Sequence, residues 1–295
     1  MKPLFFAMPD NEAAANALAK ALGGATGELE LRRFPDGESY LRFAGDLAGQ
    51  TVALVCTLDR PNEKTLPLLF AAATARELGA AKVGLVAPYL AYMRQDKRFN
   101  PGEAVTSREF ARLLSDAFDW LVTVDPHLHR YKSLSEIYRI PTCVVHAAPL
   151  MAAWIKANVE QPVIIGPDVE SKQWVAAVAK QIAASYAVFD KIRRGDREVE
   201  IKIKNLDAFV GHTPVLVDDI ISSGQTMLAA IRLLKDRGLA APVCIAVHGV
   251  IATGAYEALL AAGARVVTCN TVPHASNAID VNGLLGESLR TLVRS

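Results

Sequence analysis

The sequence predicts an α/β fold built from two doubly wound domains, each with a parallel sheet. Short, nearly continuous apolar runs alternate with longer amphipathic or alanine-rich stretches, a rhythm typical of βα units that cover both faces of a sheet. The chain has 295 residues, more than one hydrophobic core usually supports. We therefore expect one domain over residues 1–145 and a second over 146–282, with a C-terminal helix at 283–295 packing back on the first.

The same rhythm predicts the individual elements. Strands are predicted at 51–56, 82–89, 120–125, 141–145, 162–166, 214–219 and 243–249. Helices are predicted between them at 61–79, 104–117, 146–158, 170–184 and 225–237. Ligands of doubly wound sheets bind outside the carboxyl ends of the strands, so functional side chains are expected there. Three strand ends carry acidic or imidazole groups, namely Asp125 with His127, Asp168, and the pair Asp218 and Asp219.

Composition limits the classes of function. Apolar residues make up 51% of the chain and charged residues 21%, which is enough apolar material for packed cores. The formal net charge of +1 argues against nucleic acid as the main partner, because phosphate neutralisation needs a basic surface. No apolar run reaches the ~18–20 residues of a membrane span, and the N-terminus lacks the apolar core of a signal peptide. We expect a cytoplasmic protein with no membrane partner and reduced cysteines.

The segment VLVDDIISSGQT at 215–226 points most directly to a chemistry. A loop of small polar residues at the start of a helix offers N–H groups, hydroxyls and the positive end of the helix dipole to a phosphate. The loop consists of Ser222, Ser223, Gly224, Gln225 and Thr226. Asp218 and Asp219 precede it and are placed to accept hydrogen bonds from the hydroxyls of a sugar attached to that phosphate. The alternative is a plain strand–turn–helix with a serine cap, which two adjacent carboxylates at a buried strand end disfavour.

The segment DKIRRGDREVEIKIK at 190–204 interrupts the apolar pattern with ten charged residues in fifteen, six of them basic. A charge run of this kind is usually a solvated hairpin. Its position between the acidic strand ends of the second domain makes a mobile active-site flap the competing interpretation. The residues alone leave both open.

The loop at 215–226 resembles the 5-phosphoribosyl 1-diphosphate binding loop that phosphoribosyltransferases share with ribose-phosphate diphosphokinases. Five further segments extend the resemblance to the diphosphokinase family over essentially the whole chain. They are RRFPDGESY at 32–40, PYLAYMRQDKRF at 88–99, TVDPH at 123–127, GPDVES at 166–171 and DKIRRGD at 190–196. The resemblance implies two domains of phosphoribosyltransferase type, the first on the ATP side and the second binding ribose 5-phosphate, with a catalytic flap at 190–204.

The resemblance also implies roles for individual residues. Phe34 stacks on the adenine while Asp36 and Glu38 hydrogen-bond to it, in a pocket completed across a subunit interface. The other ATP contacts are Arg94, Gln95 and Asp96. His127 contacts the magnesium of Mg-ATP, Asp168 lies near metal and ribose, and Lys191 and Arg193 reach over the phosphates as the catalytic pair. The acids Asp218 and Asp219 bind the ribose hydroxyls and Ser222, Ser223, Gly224, Gln225 and Thr226 bind the 5-phosphate. His129 receives no role.

The implied reaction moves the diphosphoryl group of ATP to the 1-hydroxyl of ribose 5-phosphate, with Mg²⁺, in a homo-oligomer that is a dimer or larger. A phosphoribosyltransferase and a catalytically impaired regulatory relative are the alternatives.

Two departures from the family pattern stand out. Gln225 occupies a position where most members have glycine, so a positive φ there would add strain of about 1 kcal/mol. Residues 99–111 lack an arginine-rich stretch and look closer to the shorter archaeal-type members than to the phosphate-activated bacterial class.

Overall fold

The computed structural model describes residues 2–168, 171–193, 199–202 and 206–292, with the backbone alone at 173, 190–193, 199–202 and 206–207. Contacts within the chain divide it into two compact units. The first unit combines Met1–His146 with Val281–Ser295, and the second is Ala147–Asp280.

The first unit is built on a six-stranded sheet in which all strands are parallel. Its elements are β1 (Leu4–Ala7), α1 (Glu12–Leu22), β2 (Ala25–Thr26), β3 (Leu29–Arg33), β4 (Ser39–Phe43), β5 (Thr51–Val55), α2 (Pro61–Glu77), β6 (Lys82–Ala87), α3 (Thr106–Ala117), β7 (Trp120–Val124), a 3₁₀ turn (Leu134–Glu136), β8 (Thr142–Val145) and the C-terminal helix Asn282–Leu292. The strand order is β2-β1-β5-β6-β7-β8, and β3 pairs with β4 in a separate antiparallel hairpin.

The central strands of this sheet are buried on both faces, as parallel strands covered by helices must be. Gly84 of β6 shows how closely they pack. A Cβ atom at this position would lie 1.8 Å from the indole of Trp120 on the neighbouring strand β7. The absence of a side chain therefore makes room for the large ring of the adjacent strand.

The second unit has the same plan. Its elements are α4 (Ala148–Asn158), β9 (Pro162–Gly166), α5 (Lys172–Ile182), β10 (Tyr186–Val188), β11 (Asp190–Arg193), β12 (Val199–Lys202), a 3₁₀ turn (Leu206–Phe209), β13 (Thr213–Ile221), α6 (Gln225–Asp236), β14 (Val243–Gly249), α7 (Ala255–Ala261), β15 (Arg265–Cys269) and β16 (Asn277–Ile279). The parallel strand order is β10-β9-β13-β14-β15-β16, with β11 and β12 forming an antiparallel hairpin.

The two sheets therefore share one topology. In each sheet the second strand pairs on one side of the first strand, an antiparallel hairpin follows in the sequence, and the next strand pairs on the other side of the first strand, so the strand order reverses there. In the second unit this reversal falls between β9 and β13, whose carboxyl ends carry the predicted acids. Doubly wound sheets bind ligands at such a reversal. The predicted fold class, two doubly wound parallel-sheet domains, is confirmed.

The C-terminal helix, α8 (Asn282–Leu292), belongs to the first unit and packs against α1, β7 and β8. Leu285 and Leu289 are fully buried in this contact. The guanidinium of Arg290 donates a hydrogen bond of 2.6 Å to the carbonyl of Ala21, at the end of α1. Within the part of the chain that the structure describes, no helix is long and apolar enough to cross a membrane.

Candidate active site

Three carboxylates gather at the carboxyl ends of two neighbouring strands in the second unit. Asp168 follows β9, while Asp218 and Asp219 lie near the end of β13, and we call these three residues the carboxylate cluster. The strand β13 continues to Ile221, because its pairing with β14 extends past both acids. Asp219 is buried, and its backbone N–H donates to Asp218 Oδ1 at 3.0 Å.

In the carboxylate cluster, three acidic side chains lie close together and Asp218 is shielded from water, which disfavours its ionised form. Burial raises the pKa of Asp218 to about 8, and the charges of Asp219 and Asp168 add to the rise. The hydrogen bond from the Asp219 N–H opposes this shift without overcoming it. A divalent cation with a preference for oxygen ligands would remove the repulsion, so the donor set fits Mg²⁺.

The loop Ser222–Thr226 runs from the cluster into helix α6. Gly224, at φ +72°, occupies the cap position in a left-handed conformation that favours glycine. Gln225 is the first residue of α6 and is exposed, so the positive φ falls one residue earlier in the loop. The strain that the sequence suggested for Gln225 does not arise. The loop presents Ser222, Ser223 and Thr226 near the positive end of the α6 dipole.

In the first unit, the turn of the β3–β4 hairpin carries the predicted adenine contacts Phe34, Asp36 and Glu38, which we call the hairpin-tip set. All three are exposed, with 41% of Phe34 accessible to solvent. Asp36 Oδ1 accepts a hydrogen bond from the Glu38 N–H at 3.1 Å, which shapes the turn. The guanidinium of Arg32 stacks 4.0 Å from the Tyr40 ring and 4.9 Å from the Phe34 ring. This cation–π support was not predicted from the sequence.

The predicted ATP contacts Arg94, Gln95 and Asp96, which we call the nucleotide segment, have different surroundings. Arg94 is exposed, whereas the Gln95 side chain accepts a hydrogen bond from Thr106 at 3.0 Å. The Asp96 side chain is 1% exposed and binds Arg130 Nη1 at 2.8 and 3.1 Å. Asp96 therefore faces an arginine that sequence reasoning missed.

The hairpin-tip set and the nucleotide segment each have their own local contacts. Across the described ranges, no hydrogen bond, ion pair or ring contact joins one set to the other.

Beyond β7, two histidines lie side by side. His127 Nδ1 is 3.1 Å from His129 Nε2, and the ring centroids are 3.8 Å apart. A hydrogen bond to one ring nitrogen orients a histidine for metal or phosphate contact through the other. His129, which received no role from the sequence, thus helps to orient His127.

The predicted flap contains an antiparallel hairpin. Lys191 of β11 lies opposite Ile201 of β12, and Arg193 lies opposite Val199. The segments 194–198 and 203–205 of the predicted flap lie outside the described residues. The hairpin is the element that both earlier interpretations required, so its presence does not choose between them.

Comparison with known proteins identifies the family. Residues 4–117 match the N-terminal domain of ribose phosphate pyrophosphokinase, and residues 133–283 match the phosphoribosyl transferase domain. A ribose-phosphate pyrophosphokinase of Methanopyrus kandleri is 36% identical over 279 residues, which cover 93% of this chain and 94% of the relative. The chain belongs to the ribose-phosphate pyrophosphokinase family. This name is a synonym of ribose-phosphate diphosphokinase, so the resemblance drawn from the sequence is confirmed.

Other pyrophosphokinases match along most of their length. The relative from Saccharolobus solfataricus is 36% identical over 87% of this chain and 88% of its own, and that from Methanosarcina acetivorans is 32% identical over 96% and 98%. These archaeal relatives agree with the predicted likeness to the archaeal-type members of the family. The crystal structure of phosphoribosylpyrophosphate synthetase from Mycobacterium smegmatis matches the fold with a TM-score of 0.87 and 24% identity, over 100% of this chain and 99% of that one.

Proposed function

We propose that this pyrophosphokinase family member transfers the diphosphoryl group of ATP to the 1-hydroxyl of ribose 5-phosphate, yielding 5-phosphoribosyl 1-diphosphate and AMP. The observation that carries the proposal is the match of residues 4–117 to the N-terminal pyrophosphokinase domain, in addition to the phosphoribosyl transferase domain. A phosphoribosyltransferase needs no such first domain. The relatives named as pyrophosphokinases match across both domains.

The second unit binds the sugar phosphate in this proposal. Ser222–Thr226 hold the 5-phosphate at the start of α6, where unpaired N–H groups and the helix dipole favour an anion. Asp218 and Asp219 accept hydrogen bonds from the ribose hydroxyls. The helical conformation of Gln225 supports this role, because its backbone N–H is then among those at the first turn of the helix.

Asp168 and His127 are the proposed contacts of Mg²⁺. The fit rests on the carboxylate cluster, whose mutual repulsion a cation would relieve. Bound Mg²⁺ would supply positive charge to the phosphate oxygens of ATP. His127 is held by its neighbour His129, so its ring is already oriented before nucleotide binds.

The first unit binds the nucleotide in this proposal. Phe34 offers a ring face for the adenine, while Asp36 and Glu38 accept hydrogen bonds from it. Arg94 and Gln95 contact the nucleotide directly. The buried position of Asp96 favours an indirect role, in which it fixes Arg130 for contact with the phosphates. We further propose a homo-oligomer, in which the exposed hairpin-tip set completes the nucleotide pocket of a neighbouring subunit.

The chemistry consists of in-line attack by the sugar 1-oxygen on the β-phosphorus of ATP. The new bond joins that oxygen to the β-phosphorus, and the bond from the β-phosphorus to the bridging α,β-oxygen breaks. AMP leaves with the electron pair, and the proton of the 1-hydroxyl passes to solvent. Reactions of this type depend on positioning and on neutralising charge at the phosphate oxygens. Lys191 and Arg193 are accordingly charge stabilisers and not bases.

The test is AMP formation from ATP and ribose 5-phosphate, measured with a coupled assay. We expect AMP only when both substrates and Mg²⁺ are present, with 5-phosphoribosyl 1-diphosphate in equal amount. Production of a nucleotide from a free base and 5-phosphoribosyl 1-diphosphate, without ATP consumption, would instead identify a transferase. Nucleotide binding without turnover would identify a regulatory relative.

A further inference from the structure

Asp125 combines a buried carboxylate with a backbone conformation that the next residue opposes. Its φ is +31°, in a region that residues other than glycine rarely adopt. Pro126 follows, and the residue before a proline is normally forced into an extended conformation with negative φ. Strain of this kind costs about 1–3 kcal/mol and persists only where the surroundings hold it.

Two consecutive residues of the neighbouring strand end contribute to holding Asp125. Its backbone N–H donates to the carbonyl of Val145 at 3.0 Å. Its Oδ1 lies 2.7 Å from His146 Nδ1. An ionised carboxylate can only accept a hydrogen bond, so the imidazole is the donor. Both the main chain and the side chain of Asp125 are thus tied to the end of β8.

The hydrogen bond from His146 matters more than its surface position suggests. The His146 side chain is 69% exposed, but the carboxylate it binds is completely buried. Removing the partner of a buried carboxylate strongly destabilises the fold, because a buried charge is left uncompensated. An ion pair between two exposed side chains contributes little to the stability of the fold. The bond to Asp125 also raises the pKa of His146, against the opposing effect of burial.

The link from Asp125 to His127 is short and stiff. Only Pro126 stands between them, and its ring fixes φ near −65°. A change in the backbone direction at Asp125 would therefore move His127 with little chance of local compensation. Misplacement of a functional group by about 1 Å costs up to 10²-fold in rate.

We propose that His146 is a positioning residue: by binding Asp125, it fixes the direction in which the chain leaves β7 and thereby places His127 for the nucleotide. The inference rests on the proposed function, because it takes the role of His127 from there. His146 was not among the residues singled out from the sequence. It directly follows the edge strand β8 in the sequence, and its contact with Asp125 is what points to a functional role.

Two substitutions at this position separate positioning from other roles. His146→Leu removes the donor while keeping an apolar volume, and His146→Asn keeps an N–H donor near the place of Nδ1. The control is Arg139→Leu, which removes an exposed ion pair with Asp116 in the same unit. Melting temperatures establish that all three variants fold.

The first readout is the NMR signal of the His127 ring, assigned with a His127→Asn variant and recorded without ligand. We expect it to shift in His146→Leu, to return close to its wild-type position in His146→Asn, and to stay unchanged in Arg139→Leu. The second readout is the pair kcat and KM for ATP. We expect kcat/KM to fall about 10–100-fold in His146→Leu and to recover most of its value in His146→Asn.

An unchanged His127 signal in His146→Leu would overturn the proposal, whatever the activity. Failure of His146→Asn to restore kcat/KM would also overturn it, because His146 would then contact the nucleotide itself. If the ring signal follows the expected pattern but the wild-type protein forms no AMP, the positioning role stands and the proposed reaction is wrong.

Discussion

Asp218 is buried beside two further carboxylates, and this makes the stability of the folded chain dependent on pH. Its folded-state pKa of about 8 lies above the value of about 3.9 expected in an unfolded chain. Between these two values the folded state binds the proton more tightly than the unfolded state. Stability should therefore fall as pH rises from about 4 towards 8.

We expect Asp218→Asn to raise the melting temperature of the Mg²⁺-free protein at pH 8 by at least about 2–4 °C, because each unit of raised pKa costs the ionised form about 1.4 kcal/mol, and to have little effect at pH 4. Addition of Mg²⁺ at pH 8 should stabilise the wild type more than the variant. Differential scanning calorimetry at the two pH values measures both effects. The control Glu160→Gln neutralises an exposed carboxylate of the same unit and should leave the melting temperature unchanged at both pH values. Equal effects of Asp218→Asn at both pH values would contradict the electrostatic account.

Individual site residues differed in how well they could be predicted from sequence. The acids of the carboxylate cluster follow apolar runs, so the strand-end rule was enough to find them. Arg130 and His146 could not be found in this way. Their importance comes from partners 34 and 21 residues away in sequence, which only the folded chain brings together. Local pattern carries no information about such pairs.

Among the elements, the hairpin of β11 and β12 carries the sharpest kinetic prediction. In the open state, Lys191 and Arg193 would meet phosphate in water, where charge attraction is weak, whereas exclusion of water strengthens the same attraction. We expect Lys191→Ala and Arg193→Ala each to lower kcat by about 10²–10³ while KM changes only a few-fold. Steady-state kinetics of AMP formation measure both constants.

Two comparisons make this result specific. Lys202 lies opposite Asp190 on the same hairpin and has no assigned role, so Lys202→Ala should keep kcat near the wild-type value. Asp219→Ala should mainly raise the KM for ribose 5-phosphate, because that carboxylate holds the sugar before and during transfer. The double variant of Lys191 and Arg193 should lose less than the product of the single effects, since residues that act as a unit are not additive. A normal kcat in the Lys191→Ala variant would mean that the hairpin is a solvated loop without a catalytic role.

The elements themselves were predictable where their pattern was long or strongly apolar. β9 and β14 have the predicted bounds, and α2 begins at the predicted residue. β13 is longer than predicted because its ladder to β14 runs past the two acids, a tertiary effect that burial pattern alone does not reveal. The elements before residue 51 were not predicted, and they include the eleven-residue helix α1. β3 has no buried residue, so it lacks the alternation that marks a half-buried strand.

On the scale of the whole molecule, the exposed hairpin-tip set leads to a prediction about assembly. If the hairpin-tip set serves a neighbouring subunit, a site takes Phe34 from one chain and Lys191 from another. Phe34→Ala and Lys191→Ala chains should each be nearly inactive alone. When the two variants are co-expressed, random pairing makes half of the dimers hybrids that contain one chain of each kind. One of the two sites in each hybrid dimer is intact, so the mixture should regain up to about a quarter of the wild-type activity.

Activity of the mixed chains is measured against the sum of the two separate variants, with light scattering to establish that a dimer or larger oligomer forms. A mixture no more active than that sum would place each site within one chain. A fully active monomer at assay concentration would exclude the shared pocket altogether. The doubly wound fold class was predictable from the alternation of apolar and amphipathic stretches. Which chain completes a pocket depends on surfaces that sequence periodicity does not describe.

The position of α8 in the first unit bears on how the protein is made. Ribosomes release the chain from its N-terminus, and domains usually fold in that order. Here the N-terminal unit stays incomplete until Leu285 and Leu289 emerge to cover α1, whereas the second unit is continuous and emerges whole before them. The later part of the gene therefore encodes the unit that can fold first. Until the whole second unit has been synthesised, the nascent first unit lacks the helix that covers α1, which makes this apolar surface a natural point for chaperone contact.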